Sequence, residues 1–184
     1  MQTSALSLYT STYRIHGLID AGRRRLSDLL NDDHFDLLEL EEASYLDLLD
    51  PGAPVTTAAR VLVRKATVQL VLPTDLSQRF AAGRVPTQRQ PITLGLGLFR
   101  VTGEWHRRAG QPASYVHLLN GNTARFLPLT NARICYLPDG QADLAAPVII
   151  VNTRRTEFCA AEPARADAGD RIALDRQTRV LQPA

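Results

Sequence analysis

The densest cluster of potential chemistry is Arg23-Arg24-Arg25 running into Leu26-Ser27-Asp28-Leu29-Leu30-Asn31. Three guanidinium groups at a helix entry suit bidentate contacts to phosphate or carboxylate oxygens. Ser27 fits a helix cap, Asp28 a first turn and Asn31 a left-handed end. Arg23, Arg24, Arg25, Ser27, Asp28 and Asn31 are therefore the candidate ligand-binding residues. A solvated turn whose arginines are offset by Asp28, Asp32 and Asp33 is the simpler reading of the same run.

Other chemistry is sparse. Ser27, Asp28 and His34 supply the residue types of a nucleophilic triad, but helix capping accounts for the first two, and there is no G-x-S-x-G turn. Cys135 and Cys159 sit in apolar stretches without a Cys or His close by, which predicts buried structural thiols rather than metal ligands. His16, His34, His106 and His117 show no ligand spacing. Gly95-x-Gly97 lacks the third glycine of a dinucleotide loop, and no phosphate loop ends in G-K-[ST]. The residues predict no catalytic group, no metal and no cofactor.

The elements that must position the cluster follow from periodicity. Leu8 to Asp20 alternates, with Ile15, Gly17 and Ile19 on one side and Arg14, His16 and Asp20 on the other, which predicts a strand. Leu26, Leu29 and Leu30 have the i, i+3, i+4 spacing of a short amphipathic helix. Phe35 to Leu49 reads as extended, Asp50 to Pro54 as a break, and Val61 to Leu72 as two short strands around Arg64-Lys65-Ala66. Later, Ile92 to Trp105 reads as a strand, Tyr115 to Asn120 as a helix, Arg125 to Leu137 as a strand, and Val148 to Phe158 as a strand pair.

That second run echoes the first. Tyr13-Arg14-Ile15-His16-Gly17 returns as Phe99-Arg100-Val101-Thr102-Gly103, and Leu29-Leu30-Asn31 as Leu118-Leu119-Asn120. Leu38, Leu40 and Ala43 return as Leu127, Leu129 and Ala132, and Val63 as Val151, at offsets between 86 (103 − 17) and 89 (132 − 43). Gly17, Gly103, Asn31 and Asn120 are the structural positions of this repeat. Arg14 and Arg100, on matching polar faces, are candidates for a repeated ion pair.

The run Gly22 to Asn31 after Tyr13-Arg14-Ile15-His16-Gly17 resembles an uncharacterised bacterial domain family, with R-R-L-S-D-x-L-N and a later V-N-K-D-x-I segment. The first copy matches R-R-L-S-D and carries Arg64 where the family has Asn; the second keeps Val151-Asn152 and loses R-R-L-S-D. A glycine-bearing strand, an Asp/Asn stretch and an L-x-L strand also resemble the small Sm-like barrel. The resemblance implies a fold and no activity.

Composition bounds the rest. The chain has 184 residues, 45% hydrophobic and 22% charged, as a folded protein does. Its formal charge of +2 divides into −4 over residues 1–75 (7 − 11) and +6 over residues 76–184 (14 − 8), which favours orientation of one half against the other or against a second copy. Met1–Thr10 lacks the pattern of a signal peptide and no apolar run is long enough for a membrane helix, so a cytoplasmic location away from membranes is expected.

Taken together, the sequence predicts a mainly β protein of two tandem β-barrel-like units, each with one short helix after its first strand. The units are 1–72 and 92–160, with a linker at 73–91 and a polar tail at 161–184. The expected function is a non-catalytic scaffold, assembly or regulatory binding module. Its partners are a protein or a second copy rather than nucleic acid. The alternative is an Sm-like RNA or nucleotide binder using Arg23–Arg25.

Overall fold

Thr10 reverses the chain where the sequence carries neither Gly nor Pro. Its side-chain oxygen accepts the amides of Thr12 at 3.2 Å and Tyr13 at 2.8 Å. This turn splits the stretch read as one strand into a hairpin, β1 (Thr3–Tyr9) and β2 (Tyr13–Asp20). The same correction applies later, where Gly97 at φ 56° turns β6 (Thr87–Leu96) into β7 (Phe99–Arg108). Each short helix therefore follows a second strand, not a first. Strand β6 takes up residues expected in the linker, because Gln88, Arg89 and Gln90 pair with the far end of β7.

The computed structural model describes residues 3–22, 24–50, 52–74, 87–108, 115–119, 124–138 and 144–161. After β2 come α1 (Leu26–Leu30), β3 (Leu37–Asp47), β4 (Thr56–Arg64), a 3₁₀ turn at Lys65–Thr67 and β5 (Leu70–Pro73). After β7 come α2 (Tyr115–Leu119), β8 (Phe126–Tyr136), β9 (Leu144–Asn152), a 3₁₀ turn at Thr153–Arg155 and β10 (Phe158–Ala161). Residues 75–86 of the expected linker and 162–184 of the expected polar tail lie outside the described residues.

The ten strands among the described residues pair antiparallel in one sheet, in the order β10-β6-β7-β8-β9-β5-β1-β2-β3-β4. The protein is thus mainly β, and the sheet runs open from β10 to β4 rather than closing. Its two halves show the same order: β5-β1-β2-β3-β4 and β10-β6-β7-β8-β9.

The glycines mark where strands bend. Pairing of β2 with β3 slips at Gly17, opposite Glu42 at φ 48°, and pairing of β7 with β8 slips at Gly103, opposite Asn131 at φ 49°. Each is a β-bulge with its extra residue in the left-handed region. A Cβ on Gly17 would lie 3.0 Å from the Glu41 carbonyl oxygen and 3.1 Å from the Leu40 Cβ. On Gly103 it would lie 3.1 Å from the Cβ atoms of Leu129 and Ala132. Glycine permits the close approach that the bend requires. The leucines and alanines beside it (Leu38, Leu40, Ala43, Leu127, Leu129, Ala132) are all buried.

Two hydrophobic clusters form, and the central strands feed both. On β9, Val148 and Ile150 enter the cluster of the first half, with Leu6, Leu8, Leu30 and Leu40. Their neighbours Ile149 and Val151 enter the cluster of the second half, with Ile92, Leu94 and Leu129. Strand β5 does the same: Val71 faces the first cluster and Leu70 the second. Side chains alternate across a strand, so a strand apolar on both faces can serve two cores at once.

Candidate functional site

Within the arginine run, Arg24 lines an open groove together with Ile19, Leu37 and Glu39. Arg24 pairs with Asp32 at 2.7 Å, and Arg25 occupies the position before α1 with no side-chain cap. Ser27 therefore lies inside the helix, where its carbonyl accepts the Asn31 amide, and Asp28 is exposed in the first turn. The backbone amide of His34 and the Arg24 guanidinium hold the Asp32 carboxyl below the usual carboxylate range. Arg23 and Asn120 lie outside the described residues. Arg14 sits over the Tyr9 ring, 5.9 Å from its centre, instead of in the ion pair expected for it. Among the described residues no three His, Cys, Asp or Glu side chains gather as a metal site.

Asn31 is the member of the run that joins something. Its side-chain oxygen accepts the Phe126 amide and its side-chain nitrogen donates to the Phe126 carbonyl, both at 2.8 Å. That pair ties the end of α1 to the start of β8, ninety-five residues away. Phe126 itself is fully buried in the first cluster, although its strand belongs to the second half.

The seam between the halves is the best-built polar feature of the protein. Strand β5 pairs with β9, Leu70 opposite Val151 and Val71 opposite Ile150. Asn152, fully buried, donates its backbone amide to the Gln69 carbonyl at 2.8 Å and its side chain to the Val68 carbonyl at 2.7 Å. Its side-chain oxygen accepts the Arg154 amide and caps the following 3₁₀ turn. Lys65, only 2% exposed, donates to the carbonyls of Leu29 at 3.0 Å and Asp32 at 2.8 Å. Burial pushes its pKa down, and the Asp32 charge partly offsets that. The Arg155 guanidinium crosses the seam to the Ala66 carbonyl at 2.6 Å, and Tyr136 donates its hydroxyl to the Leu48 carbonyl.

These residues were not singled out by their spacing. Asn152 showed only as part of the Val151-Asn152 resemblance, and Lys65 only within the Arg64-Lys65-Ala66 break between two short strands. The available signal was Val148-Ile149-Ile150-Val151, a continuous apolar run of the kind a strand buried on both faces carries. Lys65, Arg125, Arg154 and Arg155 also bring positive charge to the seam, but backbone carbonyls hold Lys65 and Arg155, and Arg125 stacks on Phe126 at 5.5 Å.

Both ends of the sheet present edges. Beyond β4 and beyond β10 no further strand pairs among the described residues. The open groove that Arg24 lines, about 490 Å³, is formed mainly by α1 and β3, with Leu29, Leu37, Leu38, Glu39 and Glu41, and takes Arg60 from β4. The Phe158 ring on β10 lies half-exposed over Gly95, filling the space a Cβ there would need. No family model, curated protein or solved structure gives a significant match to the chain. Among the described residues, no helix is long and apolar enough to cross a membrane.

Proposed function

We propose that the chain is two degenerate copies of one small β-barrel-like unit joined edge to edge, and that it acts as a non-catalytic assembly or binding module. The observation that carries this is the seam, where one strand from each half packs into both hydrophobic clusters. A unit of some seventy residues buries too little surface to be robust alone, and sharing strands supplies the missing apolar area. Two further features support the repeat: the matched bulges at Gly17 and Gly103, and the matched strand order of the halves. Strand edges bind through backbone hydrogen bonds, with alternate side chains setting specificity.

The RNA-binding alternative has less support. Arg24 is committed to Asp32, and the seam cations are largely held by carbonyls or stacked. Single-strand binders need stacking platforms, whereas Phe126 is fully buried and Tyr136 is engaged with Leu48. Fractionating an extract of the cells that make the protein separates the two readings. An assembly module elutes in a complex well above its own 20.3 kDa. Elution at the monomer mass, together with salt-sensitive submicromolar binding to RNA oligomers in an anisotropy titration, would overturn the proposal.

A further inference from the structure

Resting on that reading, we infer that the occupant of the open β10 edge is the β4 edge of a second copy of this chain. The internal seam supplies the template. Strand β9 occupies in the second half the place that β4 occupies in the first, and β10 the place that β5 occupies. The local hydrogen bonds match: Lys65 donates its amide to the Asp36 carbonyl and Thr153 to the Arg125 carbonyl, each at 2.8 Å. Likewise Gln69 donates to the Tyr9 carbonyl and Glu157 to the Gly95 carbonyl, each at 2.8 Å. The seam uses β9 on β5, so the strands left over at the two ends, β4 and β10, are the two partners of a second seam.

Side chains at those ends fit the assignment. Shifting the seam register by 88 residues (158 − 70) sets Phe158 opposite Val63 and Cys159 opposite Leu62. Ile150, buried to 3%, then corresponds to Leu62, which is 60% exposed. Fully buried Phe126 corresponds to Leu37, 45% exposed, and fully buried Leu70 to Phe158, 49% exposed. Ile150, Phe126 and Leu70, which the seam covers, thus have uncovered apolar counterparts at the open ends, while Val151 corresponds to Val63, already buried in the first cluster. One position further along, Asn152 faces Gln69 in the seam, and the same register sets Arg64 directly opposite Glu157. Both are exposed, and opposite charges placed across paired strands favour that register.

The two edges differ, so the contact is head to tail. Such contacts close into a ring when the rotation per copy permits and continue as a filament otherwise. Sedimentation analysis of the purified full chain tests this. Wild type should rise in mass above 20.3 kDa with concentration, and Leu62→Asp should remain a monomer with an unchanged circular dichroism spectrum. Arg64→Glu and Glu157→Arg should each weaken association by roughly tenfold. An equimolar mixture of those two variants should associate more strongly than either alone, because contacts between unlike variants pair opposite charges. A wild type that stays monomeric at every concentration, or a mixture no more associated than its components, would overturn the inference. A monomeric purified chain that still elutes in a large complex from extract would leave the assembly reading standing and remove only self-association.

Discussion

Replacing Ile150 with alanine tests whether β9 holds up a core that belongs to the other half of the chain. The Ile150 side chain is 3% exposed and sits in the cluster with Leu6, Leu8 and Val71. The substitution removes three carbons, worth about 0.8 kcal/mol each in lost burial, and leaves a cavity that adds to the cost. The expected loss is about 3 kcal/mol. For a chain of this size that lowers the melting temperature by about 6–12 °C. The matched control is Leu62→Ala, which removes a side chain of the same size from the corresponding position on β4. With 60% of Leu62 exposed, its loss from the monomer should fall within about 0.5 kcal/mol. Urea denaturation at a concentration where the chain is monomeric measures both, followed by far-ultraviolet circular dichroism and by fluorescence of the single tryptophan, Trp105 in the second-half cluster. Because β5 and β9 serve both clusters, the two probes should report one shared transition. A shift below 1 kcal/mol for Ile150→Ala, or a Trp105 transition separate from the main one, would refute the shared-strand argument.

The other predictions concern the bends, the halves and the buried lysine. Gly17→Val and Gly103→Val should each cost about 1–3 kcal/mol in denaturation midpoint, since the new side chain meets backbone and Cβ atoms at 3.0–3.2 Å. An unchanged midpoint for either would show that the bulge does not need the approach. Residues 1–75 and 84–184, expressed apart, should give poorly dispersed amide spectra that sharpen on mixing; two dispersed spectra unaffected by mixing would make the halves independent. Lys65→Met should cost about 1–3 kcal/mol, because the Leu29 and Asp32 carbonyls lose their shared donor. A neutral result by the same denaturation assay would mean that water or a neighbouring group replaces it.

How much of this could be read beforehand depends on how local each cause is. The bulge glycines were legible because a backbone approach leaves a residue type behind it, and both Gly17 and Gly103 carry that mark. The Leu26, Leu29 and Leu30 spacing gave α1 for the same reason, as all three are buried on one side. The β1–β2 turn was missed because Thr10 makes it with a side-chain oxygen, and a Thr-Ser-Thr stretch also reads as strand. The β6–β7 turn was missed because Gly95 and Gly97 fell into step with the alternating leucines, although only Gly97 turns the chain. Of the candidate site, Asn31 proved connected, but its partner Phe126 is distant in sequence and no local pattern names it. The pairing of β5 with β9 is likewise a choice of one strand edge over another, made by long-range packing rather than by any residue's own preference.

The claim that this protein joins its partners through strand edges is tested most directly by amide hydrogen exchange. The complex isolated from extract is compared with the chain diluted to monomer. The account predicts slowed exchange in peptides covering β4 and β10, with β8 unchanged because it is already paired on both sides with β7 and β9. Protection elsewhere, with β4 and β10 exchanging in the complex as they do in the monomer, would contradict it.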